Sequence, residues 1–201
     1  MKLCHTLACL VALGAAGLSL GGCGRQAEQA APPLAGARLG GPFALTDQNG
    51  NAVTDRQFAG RYRAIYFGYS YCPDVCPTTL QVLMQGYRLL QERSPATAAR
   101  LAPIFITVDP ERDTPAVLKT YVAAFGPQLA GLTGSPAAIA RVAKEYGVYY
   151  RRQVAPAGSQ SYLMGHSSQV ILFGPDGAPI VLVPTDQGAK AVADTLAQWI
   201  R

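Results

Sequence analysis

The sequence lacks the features that mark several common classes of protein. Its basic residues are scattered, and 17 Lys and Arg against 12 Asp and Glu give a formal net charge of +5, which does not indicate nucleic-acid binding. Neither an internal repeat nor a second domain is visible. General disorder is excluded because 49% of the 201 residues are hydrophobic, enough for one domain with a substantial core.

The chain also has little that resembles a membrane span. Its main apolar run, residues 7–20, follows Lys2, precedes small residues and Cys23, and is too short for a comfortable span. This order indicates an export signal. Because a leucine stands three positions before Cys23, the segment resembles the bacterial lipoprotein signal, in which that cysteine becomes the lipidated N-terminus. An uncleaved membrane anchor is the alternative.

Three segments follow from this signal. We predict a lipoprotein-type signal peptide over residues 1–22. Residues 23–41 are rich in Ala, Gly, Gln and Pro without apolar periodicity, which predicts a flexible tether. Residues 42–201 then form the exported domain, held by lipid on Cys23 at the periplasmic side of a bacterial membrane.

Cysteine and histidine are scarce in the part of the chain that remains after cleavage. Two of the five cysteines leave with the signal peptide and Cys23 carries lipid, so only Cys72 and Cys76 are left for chemistry. One of the two histidines also leaves, which makes His166 the single histidine of the mature protein.

Cys72 and Cys76 lie in a turn that we predict between a strand and a helix. An apolar, aromatic run ends at Gly68, and a proline follows each cysteine. Pro73 favours an extended conformation at Cys72, and Pro77 suits the first position of a helix, whose N-terminus favours thiolates. If the first helical turn includes Cys76, the sulfurs lie close enough to share a metal or form a disulfide. Two buried structural cysteines are the alternative.

The rest of the chain alternates predicted strands and helices. In order, we predict a hairpin around Asn49 and Gly50, a helical turn capped by Asp55, a strand over 63–67, a helix over 77–93, a strand over 102–108, a helix over 115–125 capped by Asp113, a strand over 129–133, a helix over 135–147, a strand over 148–154, a loop over 155–161, a hairpin of strands 169–173 and 179–183, and a helix over 188–200. Crossover helices predict a sheet with a parallel portion covered on both faces. The order matches a thioredoxin-like α/β fold with a central mixed sheet, flanking helices and an N-terminal β-hairpin.

His166 stands just before a strongly apolar strand. A lone histidine is more often structural, but in a thioredoxin-like fold this segment runs beside the Cys loop, where His166 can face the sulfurs. Two thiolates and one imidazole suit Cu(I). A structural zinc site needs four protein ligands, and Cu(II) needs water or another donor. The residues therefore favour copper over structural zinc.

Three motifs in the right order resemble the Sco/SenC family: F-G-Y shortly before C-P-D-V-C-P, then V-D-P-E-R-D-T-P, then G-H-S-S. The resemblance covers residues 42–199. It implies a membrane-tethered copper protein that helps assemble the dinuclear copper centre of cytochrome c oxidase, with Cys72, Cys76 and His166 as the copper ligands. It implies as partners the copper-site subunit of the oxidase and other periplasmic copper chaperones.

Two positions depart from the pattern of that family. Gly165 precedes the histidine where many members have aspartate, and Tyr71 precedes the first cysteine where many have histidine. Loss of a carboxylate that orients a metal ligand costs ~10–100-fold in affinity, which two thiolates can absorb. Asp109, at a predicted strand end, is expected to support the ligands from behind. Tyr69 and Tyr162, like Tyr71, are expected at the rim of the site.

Two other functions compete with copper binding. A thiol–disulfide oxidoreductase, keeping the copper-site cysteines of the oxidase subunit reduced, would use a Cys72–Cys76 disulfide, which an oxidising compartment permits. Its spacing is C-x-x-x-C rather than C-x-x-C, and no proline precedes the strand after His166. A peroxidase of the peroxiredoxin type needs threonine three residues before its cysteine, where this chain has Tyr69. Whether the protein is an enzyme stays open at this point.

Overall fold

Two strands at the centre of the domain, β3 (Tyr62–Gly68) and β4 (Leu101–Thr107), are buried along their whole length. Continuous apolar runs of this kind are typical of strands covered on both faces. They pair in parallel, and the crossover between them contains α1 (Val75–Arg93) and the short α2 (Pro95–Ala99). The computed structural model describes residues 30–153 and 162–201.

The other elements complete a mixed sheet with helices packed on it. They are β1 (Ala44–Asp47), β2 (Ala52–Thr54), α3 (Pro115–Ala123), β5 (Ala130–Thr133), α4 (Pro136–Glu145), β6 (Tyr150–Gln153), β7 (Leu163–His166), β8 (Val170–Phe173), β9 (Pro179–Val183) and α5 (Ala189–Trp199). In the described part of the chain the main sheet has seven strands, ordered β2-β1-β5-β4-β3-β8-β9. Strands β3, β4 and β5 are parallel and their other neighbours antiparallel, which confirms the predicted mixed sheet.

Helix α1 carries the Cys loop and packs closely on α5. Its inner face consists of buried side chains that include Leu80, Leu83 and Leu90. At Gly86 a Cβ atom would lie 2.3 Å from Cγ1 of Val192 on α5, so only glycine permits this approach. Tight packing of α1 against both the sheet and α5 fixes the position of its N-terminal turn, which holds the second cysteine.

The prediction that Asp113 caps the third helix is wrong. Thr114 is the N-cap of α3, and its hydroxyl accepts a hydrogen bond from the backbone N–H of Val117 at 3.4 Å. Asp113 is fully buried instead. A threonine side chain suits the cap as well as aspartate does, which leaves the carboxylate of Asp113 free for the interior.

Two further boundaries differ from the sequence prediction. Helix α1 begins at Val75, so Pro77 stands at its third position rather than its first. Thr54 precedes the 3-10 turn Asp55–Phe58 in the cap position. The carboxylate of Asp55 accepts a hydrogen bond from the N–H of Phe43 at 3.2 Å and thereby holds the first hairpin to this turn.

Part of the segment that we predicted as a tether contacts the domain. The N–H of Leu34 donates to the carbonyl of Ile180 at 3.0 Å, and the N–H of Gly40 donates to that of Glu145 at 2.9 Å. Leu39 packs on the core. These contacts belong to a compact unit over Ala31–Arg201, which begins before the predicted residue 42.

Several predictions lie outside the described residues. These are the signal peptide, Cys23, most of the N-terminal half of the tether, and the loop over 155–161. Among the helices that are described, none combines the length and the apolar character needed to cross a membrane.

Candidate metal centre

Cys72, Cys76 and His166 converge at the carboxyl end of β3. One donor atom from each lies within 4.8 Å of the other two. Cys72 lies in the loop after β3, Cys76 in the first turn of α1, and His166 at the end of β7. The fold therefore brings together the three residues that the sequence analysis singled out.

The imidazole of His166 faces Cys76. Its Nε2 lies 3.2 Å from the Cys76 Sγ, and its Nδ1 lies 2.8 Å from the carbonyl oxygen of Ser167. Because that carbonyl can only accept, Nδ1 carries the proton and Nε2 is left as the acceptor for the Cys76 S–H. The side chains thus meet as a thiol and a neutral imidazole.

Burial keeps this pair uncharged. Desolvation raises the pKa of the Cys76 thiol to about 12 and lowers the pKa of His166 below its usual 6.5, which a hydrogen bond to the Ser167 backbone only partly offsets. Both shifts have the sign expected when a charged form is removed from water. A metal ion that replaced the thiol proton would therefore meet two donors already aimed at one another.

Cys72 is the more accessible of the two thiols. It is half-buried, whereas Cys76 is fully buried. Its Sγ accepts a hydrogen bond from the backbone N–H of Cys76 at 3.4 Å, and both cysteines are free thiols. Tyr71 and Val75, on either side of this loop, are 54% and 41% exposed. A partner that exchanges a metal or a disulfide with this site would meet Cys72 first.

Gly68 makes room for the second sulfur, a role that the sequence analysis missed. A Cβ atom at this position would lie 3.0 Å from the Cys76 Sγ and 2.9 Å from the ring of Phe105. Any larger residue would push Cys76 away from His166. The sequence does show a glycine at the end of a strand of larger residues. It does not show which side chain occupies the space that a larger residue at this position would fill.

Aromatic rings enclose the imidazole on its buried side. Tyr69 meets His166 edge-on, with ring centroids 5.8 Å apart and an interplanar angle of 89°, and Tyr66 lies 6.2 Å away at 66°. Both tyrosines are buried, so Tyr69 does not lie at the rim as predicted. Tyr71 does, because it is more than half exposed. The rings hold His166 in place and exclude water from behind it.

Asp109 reaches the site only through other side chains. Its carboxylate accepts hydrogen bonds from Nε of Arg112 and, at 2.8 Å, from the hydroxyl of Tyr162. The Arg112 guanidinium lies 3.7 Å from the Tyr162 ring centroid and 5.6 Å from that of Tyr69. Asp109 therefore orients Arg112, which packs on Tyr69, which in turn packs on His166.

Asp113 ties the Cys loop to the end of β4. Its carboxylate accepts hydrogen bonds from the backbone N–H of Ser70 at 3.0 Å, from the Ser70 hydroxyl, and from the Thr107 hydroxyl at 2.6 Å. Burial raises the pKa of Asp113, although these three hydrogen bonds oppose that effect. Ser70 precedes Cys72 by two residues, so the Asp113 carboxylate fixes the position of the loop that carries Cys72.

Gly165 faces away from the metal-binding groups. A Cβ atom there would lie 2.8 Å from Nε2 of Gln153 on the paired strand β6. Successive side chains of a strand point to opposite faces, so a residue at 165 is turned away from the imidazole of His166. The Ser167 carbonyl already holds Nδ1, which is the task that a neighbouring carboxylate would have performed.

A match to a protein-family model shows the family to which this chain is related. A family model described as SCO1/SenC matches residues 31–201. The chain belongs to the SCO1/SenC family. This confirms the resemblance drawn from the three sequence motifs.

Members of the SCO1/SenC family from distant organisms are similar to this chain. The mitochondrial SCO1 homolog of Mus musculus is 38% identical over 164 residues, 81% of this chain and 56% of the mouse protein. The chain thus spans about half the length of the curated relatives it matches first. The structure of Bradyrhizobium japonicum ScoI with copper bound is 41% identical with a TM-score of 0.72, covering 80% of this chain and 99% of that one.

Two other structures bear on the fold and on the cysteines. A thioredoxin domain of a Bacteroides vulgatus thiol-disulfide oxidoreductase is 13% identical with a TM-score of 0.56, over 81% of this chain and 96% of that one; it shows the fold alone and agrees with the predicted thioredoxin-like fold. BsSco, described as a Sco-family cytochrome c oxidase assembly protein with a disulfide switch, is 25% identical with a TM-score of 0.55, covering 83% and 96%.

Proposed function

We propose that this protein binds copper through Cys72, Cys76 and His166 and helps to assemble the copper centre of cytochrome c oxidase. The observation that carries the proposal is the convergence of two thiols and one imidazole within 4.8 Å. Membership of the SCO1/SenC family supports it, because a Bradyrhizobium japonicum member is known with copper bound.

The donor set favours Cu(I) over the other metals. Thiolate sulfur and imidazole nitrogen select soft and borderline ions. A structural zinc site is closed by four protein ligands, and in the described residues this cluster supplies three. Three donors satisfy Cu(I), whereas Cu(II) needs water or a donor from a partner. A change between Cu(I) and Cu(II) would therefore change the number of ligands that the ion needs and weaken its binding to these three residues.

The chemistry of loading follows from the protonation of the site. Copper displaces the proton of the Cys76 thiol, which burial keeps bound at neutral pH, while His166 is already a neutral donor. The half-buried Cys72 offers the side from which the ion arrives and leaves. A thiol of a partner protein can bind the copper on the Cys72 side before Cys76 and His166 dissociate from it.

The cellular setting belongs to the same proposal. The N-terminal sequence supports a lipid on Cys23 and a domain on the outer side of a bacterial plasma membrane, in the periplasm where the cell has one. BsSco is described as a cytochrome c oxidase assembly protein, which supports the copper-site subunit of the oxidase as the recipient. Other periplasmic copper chaperones are the proposed donors.

An anaerobic Cu(I) titration against a chromophoric chelator tests the proposal. The full chain is used with its three N-terminal cysteines replaced by serine, so that only Cys72 and Cys76 can bind. We expect one copper per chain, and no tight binding after both are replaced. His166→Ala should weaken binding by more than the ~10–100-fold that loss of an outer partner costs. Ser168→Ala, an exposed neighbour, is the matched control. Unchanged binding without the two cysteines would refute the proposal.

A second function, thiol–disulfide reduction, is favoured by one observation. The thiol of Cys72 is half-buried in the loop before α1 and accepts the N–H of Cys76 at 3.4 Å, so it is the sulfur that a substrate disulfide can reach. Cys72 would attack a substrate disulfide, form a mixed disulfide with one substrate sulfur and release the other as a thiol. Cys76 would then attack the Cys72 sulfur and release the second substrate thiol. The products are a Cys72–Cys76 disulfide and two substrate thiols.

The two functions separate in one assay. Reduced protein is mixed with a peptide that carries an intramolecular Cys-x-x-x-Cys disulfide, and free thiols are counted over time. One peptide disulfide reduced per chain, abolished by Cys72→Ser, would establish the reductase activity. No reduction, with copper delivery to the reduced peptide intact, would eliminate it.

A further inference from the structure

The hydroxyl of Tyr66 lies buried beside Cys76 and has no hydrogen-bond partner among the described residues. Tyr66 is fully buried in β3. A buried hydroxyl without a partner costs free energy, so such groups are uncommon and call for an explanation. Packing alone does not supply one, because phenylalanine would fill the same space without that cost.

The nearest polar side chains are those of Cys76 and Thr79, which lie within reach of this hydroxyl but not in the alignment of a hydrogen bond. The geometry above Gly68 places the groups together, since a Cβ atom at that glycine would lie 3.0 Å from the Cys76 Sγ and 3.2 Å from Cε1 of Tyr66. Cε1 is the ring carbon next to the one that bears the hydroxyl. The O–H of Tyr66 therefore lies close to the Cys76 sulfur.

Without a metal, the Cys76 sulfur gains little from a hydrogen bond donated by the Tyr66 hydroxyl. Its sulfur carries a proton and faces Nε2 of His166 at 3.2 Å, and a thiol sulfur is only a weak acceptor. Once copper takes the place of the proton, the sulfur becomes a thiolate. Two thiolates and one Cu(I) leave a net negative charge in a buried site, where a hydrogen-bond donor is worth most.

We propose that the Tyr66 hydroxyl is held in reserve as a hydrogen-bond donor to the Cys76 thiolate, so that it stabilises the copper-loaded site and has no partner in the metal-free one. This inference rests on the proposed function, in which Cys76 is a copper ligand. Tyr66 acts as a positioning and tuning residue because in this role its hydroxyl bonds to a ligating sulfur and not to the metal. Hydrogen bonds to a ligating sulfur are known to tune copper potentials. Cu(I) gives the more anionic complex, so the donor favours Cu(I) over Cu(II).

Tyr66→Phe should have opposite effects on the metal-free protein and on the copper-loaded protein, and this difference is the test. Tyr66→Phe removes an unpaired hydroxyl from the metal-free protein, so its thermal midpoint should stay the same or rise. The same change should weaken Cu(I) binding about tenfold, at the low end of what outer partners of metal ligands contribute. With Cu(II), the sulfur-to-copper absorption band should move to longer wavelength, because an unbonded thiolate gives up its electrons more easily.

Tyr121→Phe is the matched control. The Tyr121 hydroxyl is also buried without a partner in the described residues, and its ring packs on Phe105 and Phe125. Its removal should leave the thermal midpoint the same or higher, with Cu(I) affinity and the Cu(II) band unchanged. This control separates a hydrogen bond to sulfur from a general effect of removing a buried hydroxyl.

The outcomes distinguish this inference from the function on which it rests. A wild-type chain that binds no copper refutes the proposed function and the role of Tyr66 with it. Tight binding by the wild type together with equal affinity and an unshifted band in Tyr66→Phe overturns the role of Tyr66 alone. Equal weakening by Tyr66→Phe and Tyr121→Phe also overturns it. So does a marked drop in the thermal midpoint of metal-free Tyr66→Phe, because the hydroxyl would then be bonded without the metal.

Discussion

At the scale of single residues, the distance between Cys76 and His166 depends on a side chain that is missing. Gly68 ends β3 beneath the two groups, and the space of its absent Cβ is taken by the Cys76 Sγ at 3.0 Å and the Phe105 ring at 2.9 Å. Contacts this short leave no room even for a methyl group. The glycine thus sets the geometry of a site to which it contributes no donor.

Gly68→Ala should therefore damage both stability and copper binding. The added methyl group overpacks a full interior, which costs about 1–3 kcal/mol of unfolding free energy, and it pushes Cys76 from His166. Chemical denaturation and Cu(I) competition measure the two effects. Gly131→Ala in β5 is the control, since its Cβ would lie 2.8 Å from Cγ1 of Val122 on α3. It should lose stability while the folded protein keeps its copper affinity. Equal copper affinity in both variants would contradict this account.

Gly165→Asp should not strengthen copper binding, although the family pattern noted in the sequence analysis has aspartate before the histidine. The new side chain would meet Nε2 of Gln153, which can move aside, and it would point away from the imidazole. Nδ1 of His166 keeps its bond to the Ser167 carbonyl. We expect Cu(I) affinity within about threefold of the wild type, well under the ~10–100-fold of an orienting carboxylate. A gain of that larger size would show that the carbonyl is an inadequate substitute.

The donors of the site were predictable from the sequence, whereas their supports were not. Cys72, Cys76 and His166 are the cysteines and the histidine of the sequence beyond residue 23, so elimination and the motif order led to them. Tyr66 stands in an ordinary apolar strand, and nothing in its type or spacing distinguishes it from a core residue. Gly68 is recognisable as a small residue at the end of that strand, but the sequence does not say which side chain fills the space. Their roles depend on which atoms lie across a gap of about 3 Å, which strand pairing and helix packing decide.

At the scale of elements, the segment between β4 and α3 acts as a brace for the Cys loop. Asp113 accepts three hydrogen bonds that join Ser70 to Thr107, and the Thr107 hydroxyl in turn accepts the N–H of Asp109 at 2.9 Å. Arg112 extends from the same segment to Tyr162, near the strand that carries His166. One short segment therefore contacts both parts of the chain that supply donors.

Asp113→Ala should loosen the Cys loop more than Asp113→Asn. Alanine leaves the Ser70 N–H and two hydroxyls without their acceptor, at a cost of about 1–3 kcal/mol for each group left unpaired. The amide oxygen of asparagine still accepts from Ser70 N–H and Thr107, and the Ser70 hydroxyl can accept from the amide nitrogen. Copper affinity should fall for alanine and nearly persist for asparagine.

Thr114→Ala is the control for this brace. It removes the N-cap of α3 and should cost about 1 kcal/mol of stability without weakening copper binding. Denaturation curves and Cu(I) competition on all three variants decide the matter. If Thr114→Ala weakened copper binding as much as Asp113→Ala, the effect would belong to α3 as a whole and not to the carboxylate.

The sequence predicted the position of this segment but not its use. The strand before it was predicted from an apolar run, and the helix after it was predicted to begin at Pro115 with Asp113 as its cap; Pro115 does occupy the first helical turn. Asp113 and Thr114 are both good caps, and local preference does not choose between them. Burial separates them in the structure, because the buried Asp113 carboxylate accepts the N–H of Ser70, two residues after β3, whereas Thr114 caps α3.

At the scale of the whole molecule, the fold couples copper binding to protons. Burial raises the pKa of Cys76 to about 12, so the folded protein holds this proton more tightly than the unfolded chain does. Without metal, this contributes stability below the unfolded thiol value of 9.0 that is lost as the pH rises toward about 12. Copper must displace the same proton, so the burial that stabilises the metal-free form opposes loading.

Apparent Cu(I) affinity should consequently rise with pH across the neutral range. One proton released from Cys76 gives about a tenfold gain per pH unit between about pH 6 and pH 8, and any proton held by Cys72 adds to it. His166 adds none in most of this window, because its pKa is lowered below 6.5 and the ring is already neutral. Competition titrations at a series of pH values, corrected for protonation of the chelator, measure the slope.

Cys76→Ser identifies the group responsible for that slope. The variant keeps Cys72 and His166, so it should bind Cu(I) more weakly at every pH and lose one proton from the pH dependence. An affinity independent of pH in the wild type would mean that Cys76 is already a thiolate in the metal-free protein. An equal slope in wild type and variant would instead place the released proton on Cys72.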